Sequence, residues 1–431
     1  MREVRSVGLL HHGKLVAGYD LGEQCSQISF RLGEADVETL SSVAGEEEYN
    51  IPTVLCKRTG LNQWFYGKEA LRCAEEGQGI LVENILQLAV VGEPVQVDGI
   101  TFDPVALLSL FMKRSLGMLS QLTGTDRLAA MMITCEKLDG RLIEVLSQAV
   151  SGMHLKTDKV FYQSHAESFY HYVIQQPEEL WRSRSLLLEY RGTKVTAYCM
   201  DCNRRTTPVV SYIENWEYNM PPYEPMPEEE GLRKEKMERL DREFADIASQ
   251  VCKKTAVSSV YLIGEHYSEE WMQESLRSLC MGRRVFLGNN LYSKGACYAM
   301  SERLNPSEVG RAHVFLGGDK LKANIGMNVL DRGQESYFAL LDAGVNWYEA
   351  EQKFEFYVRG GNELDIQITS LIGGESRTER ITLEDMLPGM SRMRAHLFLT
   401  GERELVIEIE DLGFGSFRPA TEQVWRREIA L

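Results

Sequence analysis

The 431-residue chain is 44% apolar and 26% charged, the balance of a folded protein long enough for two or three domains with sizeable cores. A formal net charge of -16 and the lack of basic clusters argue against a nucleic-acid backbone or an anionic membrane as main partner, since both would repel such a surface. No run approaches the roughly 18 apolar residues of a membrane span, the N-terminus has no signal-peptide core, and nine scattered cysteines fit reduced thiols, so a cytoplasmic location is expected.

In chain order, KLVAGYD and SQISFRL are apolar and β-prone on either side of Gly22, which predicts a strand, a glycine turn and a strand over residues 14 to 33. Short strands are expected around IPTVLCK and QWFYG. A long helix follows, with Asp103 as cap, Pro104 in its first turn and Gly124 as its stop. LAAMMIT, DGRLIEVLSQAVSG, KVFYQS and AESFYHYVIQQ then read as strand, helix, strand and helix, an alternating α/β pattern. SLLLEYRGTKVTAYCM is a second strand-turn-strand whose Glu189 and Gly192 echo Asp20 and Gly22, so an internal duplication is expected. Cys199 and Cys202 make a CxxC with no second ligand pair at zinc spacing, which favours a hairpin turn.

ENWEYNMPPYEPMP, with four of the twelve prolines, predicts an irregular surface loop. Leu232, Met237, Leu240, Phe244, Ile247 and Val251 fall at helical spacing in the charged segment after it. Strand VYLIG then leads into a helix SEEWMQESLRSLC, and NNLYSKGACYAM into another. Beyond about residue 305 apolar and polar residues alternate around glycine turns, which predicts an antiparallel β domain. Phe354, Phe356, Ile366, Ile368, Ile407 and Ile409 are its expected inward residues. His11, His12, His165 and His171 read as surface or packed histidines.

A glycine hairpin exposes backbone N–H groups that hold phosphate without a basic side chain, and an aspartate at the strand end holds Mg²⁺ directly or through water. Two such hairpins and a strand-Gly-helix turn would make an ATP clamp, and Asp20, Glu189 and Gly264 come in that order. Each signal alone is more often the mark of a plain turn.

On these motifs the chain resembles the actin and heat-shock ATPase clan, and within it the DnaK-type heat-shock chaperones. Asp20-Leu21-Gly22-Glu23-Gln24-Cys25-Ser26 resembles the family's D-L-G-T-T-N-S, and Glu189-Tyr190-Arg191-Gly192-Thr193 its D-L-G-G-G-T. Gly264-Glu265 stands where the family's adenosine motif has a Gly-Gly pair, and Gly295-Ala296 falls in its second connecting helix. HVFLGG resembles the interdomain linker, and the strands to Phe417 the β-sandwich that holds an extended peptide. The resemblance implies an α/β actin-like ATPase fold of two RNase H-like halves over 1–305, a linker over 306–320, and a β-sandwich without helical lid over 321–431. It also implies ATP or ADP with Mg²⁺ on Asp20, and a peptide or protein client on the β domain.

The same residues depart from the family where phosphate chemistry sits. Glu23 replaces a threonine, and two like charges about 4 Å apart repel by roughly 4 kcal/mol at an effective dielectric of 20. Tyr190 and Arg191 replace two glycines, so the backbone approaches a phosphate less closely, although Arg191 could itself contact one. Leu86 and Gln87 stand where the family has a lysine, which predicts weak hydrolysis or none. The sequence therefore reads first as a DnaK-like binding protein with a degenerate nucleotide site, against a working ATP-dependent chaperone or a scaffold that has lost the nucleotide.

Overall fold

The computed structural model describes residues 14–43, 46–125, 127–157, 159–221, 225–253, 256–264, 266–268, 270–371, 376–421 and 423–431. His11, His12 and Glu265 lie outside them. The chain separates into two compact units, residues 1–313 and 314–431. The division falls within the segment read as a linker, which is itself structured as helix Glu308–Ala312 and strand His313–Phe315.

The first unit is mixed α/β. Leu15–Leu21 (β1) and Cys25–Leu32 (β2) form the hairpin expected around Gly22, and the two-residue strand Glu38–Thr39 (β3) extends it. On the other side of β1 lie Leu128–Cys135 (β4) and Val160–Ser164 (β5), both parallel, giving the order β5-β4-β1-β2-β3. The crossover elements are Pro104–Thr123 (α1), Gly140–Met153 (α2) and His165–Ile174 (α3). Their starts are set by side chains that satisfy orphan N–H groups: Asp103 accepts from Val105 at 3.0 Å and Asp139 from Leu142 at 2.8 Å.

The second half repeats this layout. Arg184–Arg191 (β6), Lys194–Asn203 (β7), Val209–Asn219 (β8), Val257–Ile263 (β9) and Arg284–Leu287 (β10) follow the order β10-β9-β6-β7-β8. Strand directions match as well, with β6, β9 and β10 parallel and β6, β7 and β8 antiparallel. Glu230–Lys253 (α4), Glu274–Leu279 (α5) and Leu291–Leu304 (α6) complete it. The two hairpins are thus topological equivalents, and the echo between Asp20 and Glu189 is one of position in the sheet.

Three local expectations are corrected. ENWEYN is the end of β8, not a loop: Trp216 and Tyr218 alternate onto the core beside Phe244 and Leu240, and a strand that buries one face pairs in register. Cys199 and Cys202 lie within β7, where residues three apart face opposite sides, so Cys199 joins that core while the Cys202 thiol meets the Ser211 hydroxyl at 3.2 Å. The helix expected from Ser268 starts only at Glu274, because Asp241 of α4 accepts the N–H groups of Gln273, Glu274 and Ser275 at 3.2, 2.7 and 2.9 Å and caps it from outside. Burial pushes the Asp241 carboxyl upward, but these hydrogen bonds prevail and hold it below its ordinary range. In α4 itself Leu240, Phe244, Ile247 and Val251 are buried, whereas Leu232 is exposed.

The second unit has two four-stranded antiparallel sheets. In the first, Ala323–Asp331 (β11), Gln334–Leu341 (β12), Glu363–Ser370 (β14) and Arg377–Thr382 (β15) run in the order β12-β11-β14-β15. In the second, Glu351–Arg359 (β13), Met390–Gly401 (β16), Glu404–Asp411 (β17) and Val424–Ala430 (β18) run in the order β13-β16-β17-β18. Ile366, Ile368, Ile407 and Ile409 are buried as their alternation predicts, while Phe354 and Phe356 are only half-buried and form an aromatic row with Phe338. Among the described residues, no helix is long and apolar enough to cross a membrane.

Candidate functional site

Two glycines bring backbones into direct contact at the junction of the two halves. A Cβ on Gly18 of β1 would stand 2.2 Å from the Ser293 carbonyl oxygen and 2.3 Å from the Cys297 nitrogen, so α6 lies on β1 with no side chain between. A Cβ on Gly295 would stand 1.9 Å from the Ser168 oxygen, so α6 also touches the backbone of α3. Hydroxyl and amide bonds reinforce this seat: Ser29 to Ser293 at 2.8 Å, and Asn290 to Thr39 at 3.0 Å. An element that follows the second sheet in sequence is thereby packed on the first.

This placement carries side chains of both helices to the ends of the two hairpins. Ser164 accepts from the Glu167 N–H at 3.4 Å and makes His165 the first residue of α3. His165 Nε2 lies 2.8 Å from Asp20 Oδ1, at the end of β1. The imidazole stacks on the Tyr292 ring of α6, with centroids 3.8 Å apart and planes 13° from parallel. The Tyr292 hydroxyl donates to Glu189 Oε2 at 3.0 Å, at the end of β6. Glu189 Oε1 accepts from Arg191 at 2.6 Å, and Arg191 reaches Glu136 at 3.5 Å. The two hairpin carboxylates are therefore joined by an internal chain of groups, Asp20, His165, Tyr292 and Glu189.

Burial decides how these groups behave. His165 is 2% exposed and Glu189 6%, and Tyr292 is also buried. Burial first, and the Glu189 charge next, push the Tyr292 phenol well above its ordinary range, so it stays neutral and serves as a donor. Partial desolvation works against the charge on Arg191, whose side chain is more than half exposed, but Glu189 leads a group of neighbours that outweighs it and keeps the guanidinium protonated. His165 Nδ1 has no hydrogen-bond partner among the described residues.

Gly22, Glu23 and Gln24 form the tip of the first hairpin, with Glu23 and Gln24 exposed. Gly192 has φ 58° at the first position of a two-residue turn, where glycine is favoured, and Arg191 and Thr193 beside it are exposed. Gly264 follows β9 at φ 123°, and its Cβ would stand 2.2 Å from the Tyr190 oxygen, so this turn closes on the second hairpin. Tyr190 is buried, donates to the Pro221 carbonyl at 2.9 Å and packs edge-on against His266 and Tyr267, next to Phe244 and Trp271. Asp20 and Glu189 are thus linked through two residues, His165 and Tyr292, that the sequence did not mark as site residues. Among the described residues, no group of three or more His, Cys, Asp and Glu side chains is placed to hold a metal ion.

The chain is a mixed α/β protein built on two equivalent sheets with a joined acidic pair between them, followed by a β unit. It belongs to the family of unknown function DUF5716, whose C-terminal model matches residues 36–318. Residues 320–431 match a domain of unknown function, DUF8552. No curated protein matches the chain. The family span includes His165, Glu189 and Tyr292 and begins beyond Asp20.

Proposed function

We propose that this chain is a DnaK-like binding protein with an actin-like first unit whose nucleotide site has degenerated, acting through peptide or protein binding rather than ATP turnover. The repeated five-strand order supports the actin-like reading, and the paired four-stranded sheets support the peptide-binding β-sandwich. The observation that carries the loss of nucleotide chemistry is the His165 and Tyr292 pair, which occupies the two hairpin carboxylates that Mg²⁺ would need.

The residues present do not fit Mg²⁺-ATP as arranged. One Asp20 oxygen is engaged by an imidazole, and the second hairpin presents the Arg191 side chain in place of a bare glycine. Glu189 is satisfied by Tyr292 and Arg191 and needs no metal. A domain built this way serves as a fixed platform, and its function is the interface it offers.

Calorimetric titration with ATP and ADP, each with and without Mg²⁺, tests the reading on the natural protein and on His165→Ala, with circular dichroism to confirm folding. The expected result is dissociation constants above about 1 mM for the natural protein, equivalent to less than about 4 kcal/mol of binding. Micromolar Mg²⁺-ATP binding accompanied by hydrolysis that Asp20→Ala abolishes would overturn it in favour of a working ATPase.

A further inference from the structure

The second unit carries an apolar hollow of about 440 Å³ between the loop that enters β16 and the loop that leaves β17. Leu387, Pro388, Gly389 and Met390 form one wall, and Phe414, Phe417, Arg418 and Pro419 the other. Leu387, Met390, Phe414 and Phe417 are all exposed, Phe417 at 88%, and Tyr357, also exposed, sits edge-on to Phe414 at 6.0 Å. Large apolar side chains left in water and gathered on one spot mark a binding surface.

The one charged residue of the lining is Arg418, which is 8% exposed. Its NH2 lies 3.1 Å from Asp411 Oδ2, whereas Nε and NH1 have no hydrogen-bond partner among the described residues. Asp411 cannot take more of this charge, because it already accepts from Ser391, from the Gly413 N–H at 2.9 Å and from Thr421 at 2.9 Å. Buried donors on a cation are seldom left unpaired, and an anion brought into the hollow that Arg418 lines supplies the missing acceptor once the guanidinium, whose two free nitrogens are shut off from water, turns toward it. The loop is preformed: Gly413 has φ 68°, Phe414 N–H donates to the Arg418 carbonyl at 2.7 Å, and Arg392 N–H donates to the Gly413 carbonyl at 2.9 Å.

We infer that this hollow binds the free C-terminal carboxylate of a peptide that ends in a large apolar residue, with the carboxylate on Arg418 and the side chain between Leu387, Met390, Phe414 and Phe417. Donor complementarity selects an acid, and on a chain of net charge -16 a buried guanidinium with two unpartnered nitrogens beside its Asp411 pair is a local exception to the repulsion of anions. A chain end suits the walls better than an internal segment does. Pro388 and Pro419 offer no N–H to the carbonyls of a backbone crossing beside them, while a terminal residue needs one carboxylate bound and one exit. The inference concerns only the second unit and stands whether or not the first unit binds nucleotide.

The test is fluorescence anisotropy of the full chain with a labelled peptide ending in phenylalanine, as the free acid, as the C-terminal amide, and with an internal glutamate before an amidated end. The acid is expected to bind at least tenfold more tightly than either amidated form. Phe417→Ser, at a side chain in water whose loss leaves the fold intact, is expected to weaken the acid at least fivefold. Arg418→Lys is expected to reduce the preference for acid over amide. Equal binding of acid and amide, preference for the internal glutamate, or no binding of any of the three by the natural chain would overturn the inference.

Discussion

Replacing Tyr292 by phenylalanine removes one hydroxyl and leaves the ring that stacks on His165. Glu189 Oε2 then loses its donor at 3.0 Å in a place where the carboxylate is 6% exposed, so water cannot freely replace it. Hydrogen bonds to charged groups contribute about 1.5–3 kcal/mol, and Arg191 still holds the other oxygen at 2.6 Å, which places the expected loss near 2 kcal/mol. That is roughly a thirtyfold shift in the unfolding equilibrium. Urea unfolding should show it as a lower midpoint at unchanged slope. A double-mutant cycle of Asp20→Asn with His165→Ala should show non-additivity of about 0.5–3 kcal/mol, the range for residues in one hydrogen-bonded pair. A Tyr292→Phe variant within 0.5 kcal/mol of the natural protein would refute the reasoning, because Glu189 would not then depend on the phenol.

Gly295→Ala should destabilise the first unit by about 1–3 kcal/mol or more, measured by thermal unfolding, since its methyl would meet the Ser168 backbone and α6 would have to leave α3. Asp241→Ala should cost about 2 kcal/mol in the same assay by stripping the first turn of α5 of its cap. Burial raises the Asp411 carboxyl, but Ser391, Gly413, Thr421 and the Arg418 charge outweigh burial and hold it below its ordinary range. The unfolded chain therefore takes up that proton first, so the stabilisation is complete above about pH 4 and is lost as pH falls through the lowered native value. Acid unfolding followed by circular dichroism should accordingly show a shallower decline below pH 4 in Asp411→Asn, from a starting stability about 3 kcal/mol lower.

Much of the frame was legible because its signals are local. Asp103 with Pro104, Asp139, Gly124 and Gly192 each act within a few residues, and their caps and turns fall where the pattern places them. The hairpin acids were legible for the same reason. What holds them was not: His165 and Tyr292 are 127 positions apart and meet only because Gly18 and Gly295 let α6 lie against β1 and α3, a tertiary fact that no periodicity encodes. The cap on α5 was hidden likewise, since Asp241 belongs to another helix, and the start of that helix was misplaced. Trp216 and Tyr218 looked like part of a proline-rich loop because the prolines begin directly after them, although their alternation already carried the strand. Arg418 drew no notice, since an arginine beside a proline reads as surface until the burial of Asp411 is known.

The contact between α3 and α6 has a consequence for measurement. With backbone against backbone at Gly295, no layer of side chains can absorb a small sliding of one helix along the other, so any such movement passes undiminished to the rings at their N-terminal ends. An imidazole and a phenol 3.8 Å apart cease to overlap after a shift of a few ångströms. The stack is thus a built-in gauge: the chemical shift of His165, set by the ring current of Tyr292, reads out the alignment of the two halves of the first unit without any label.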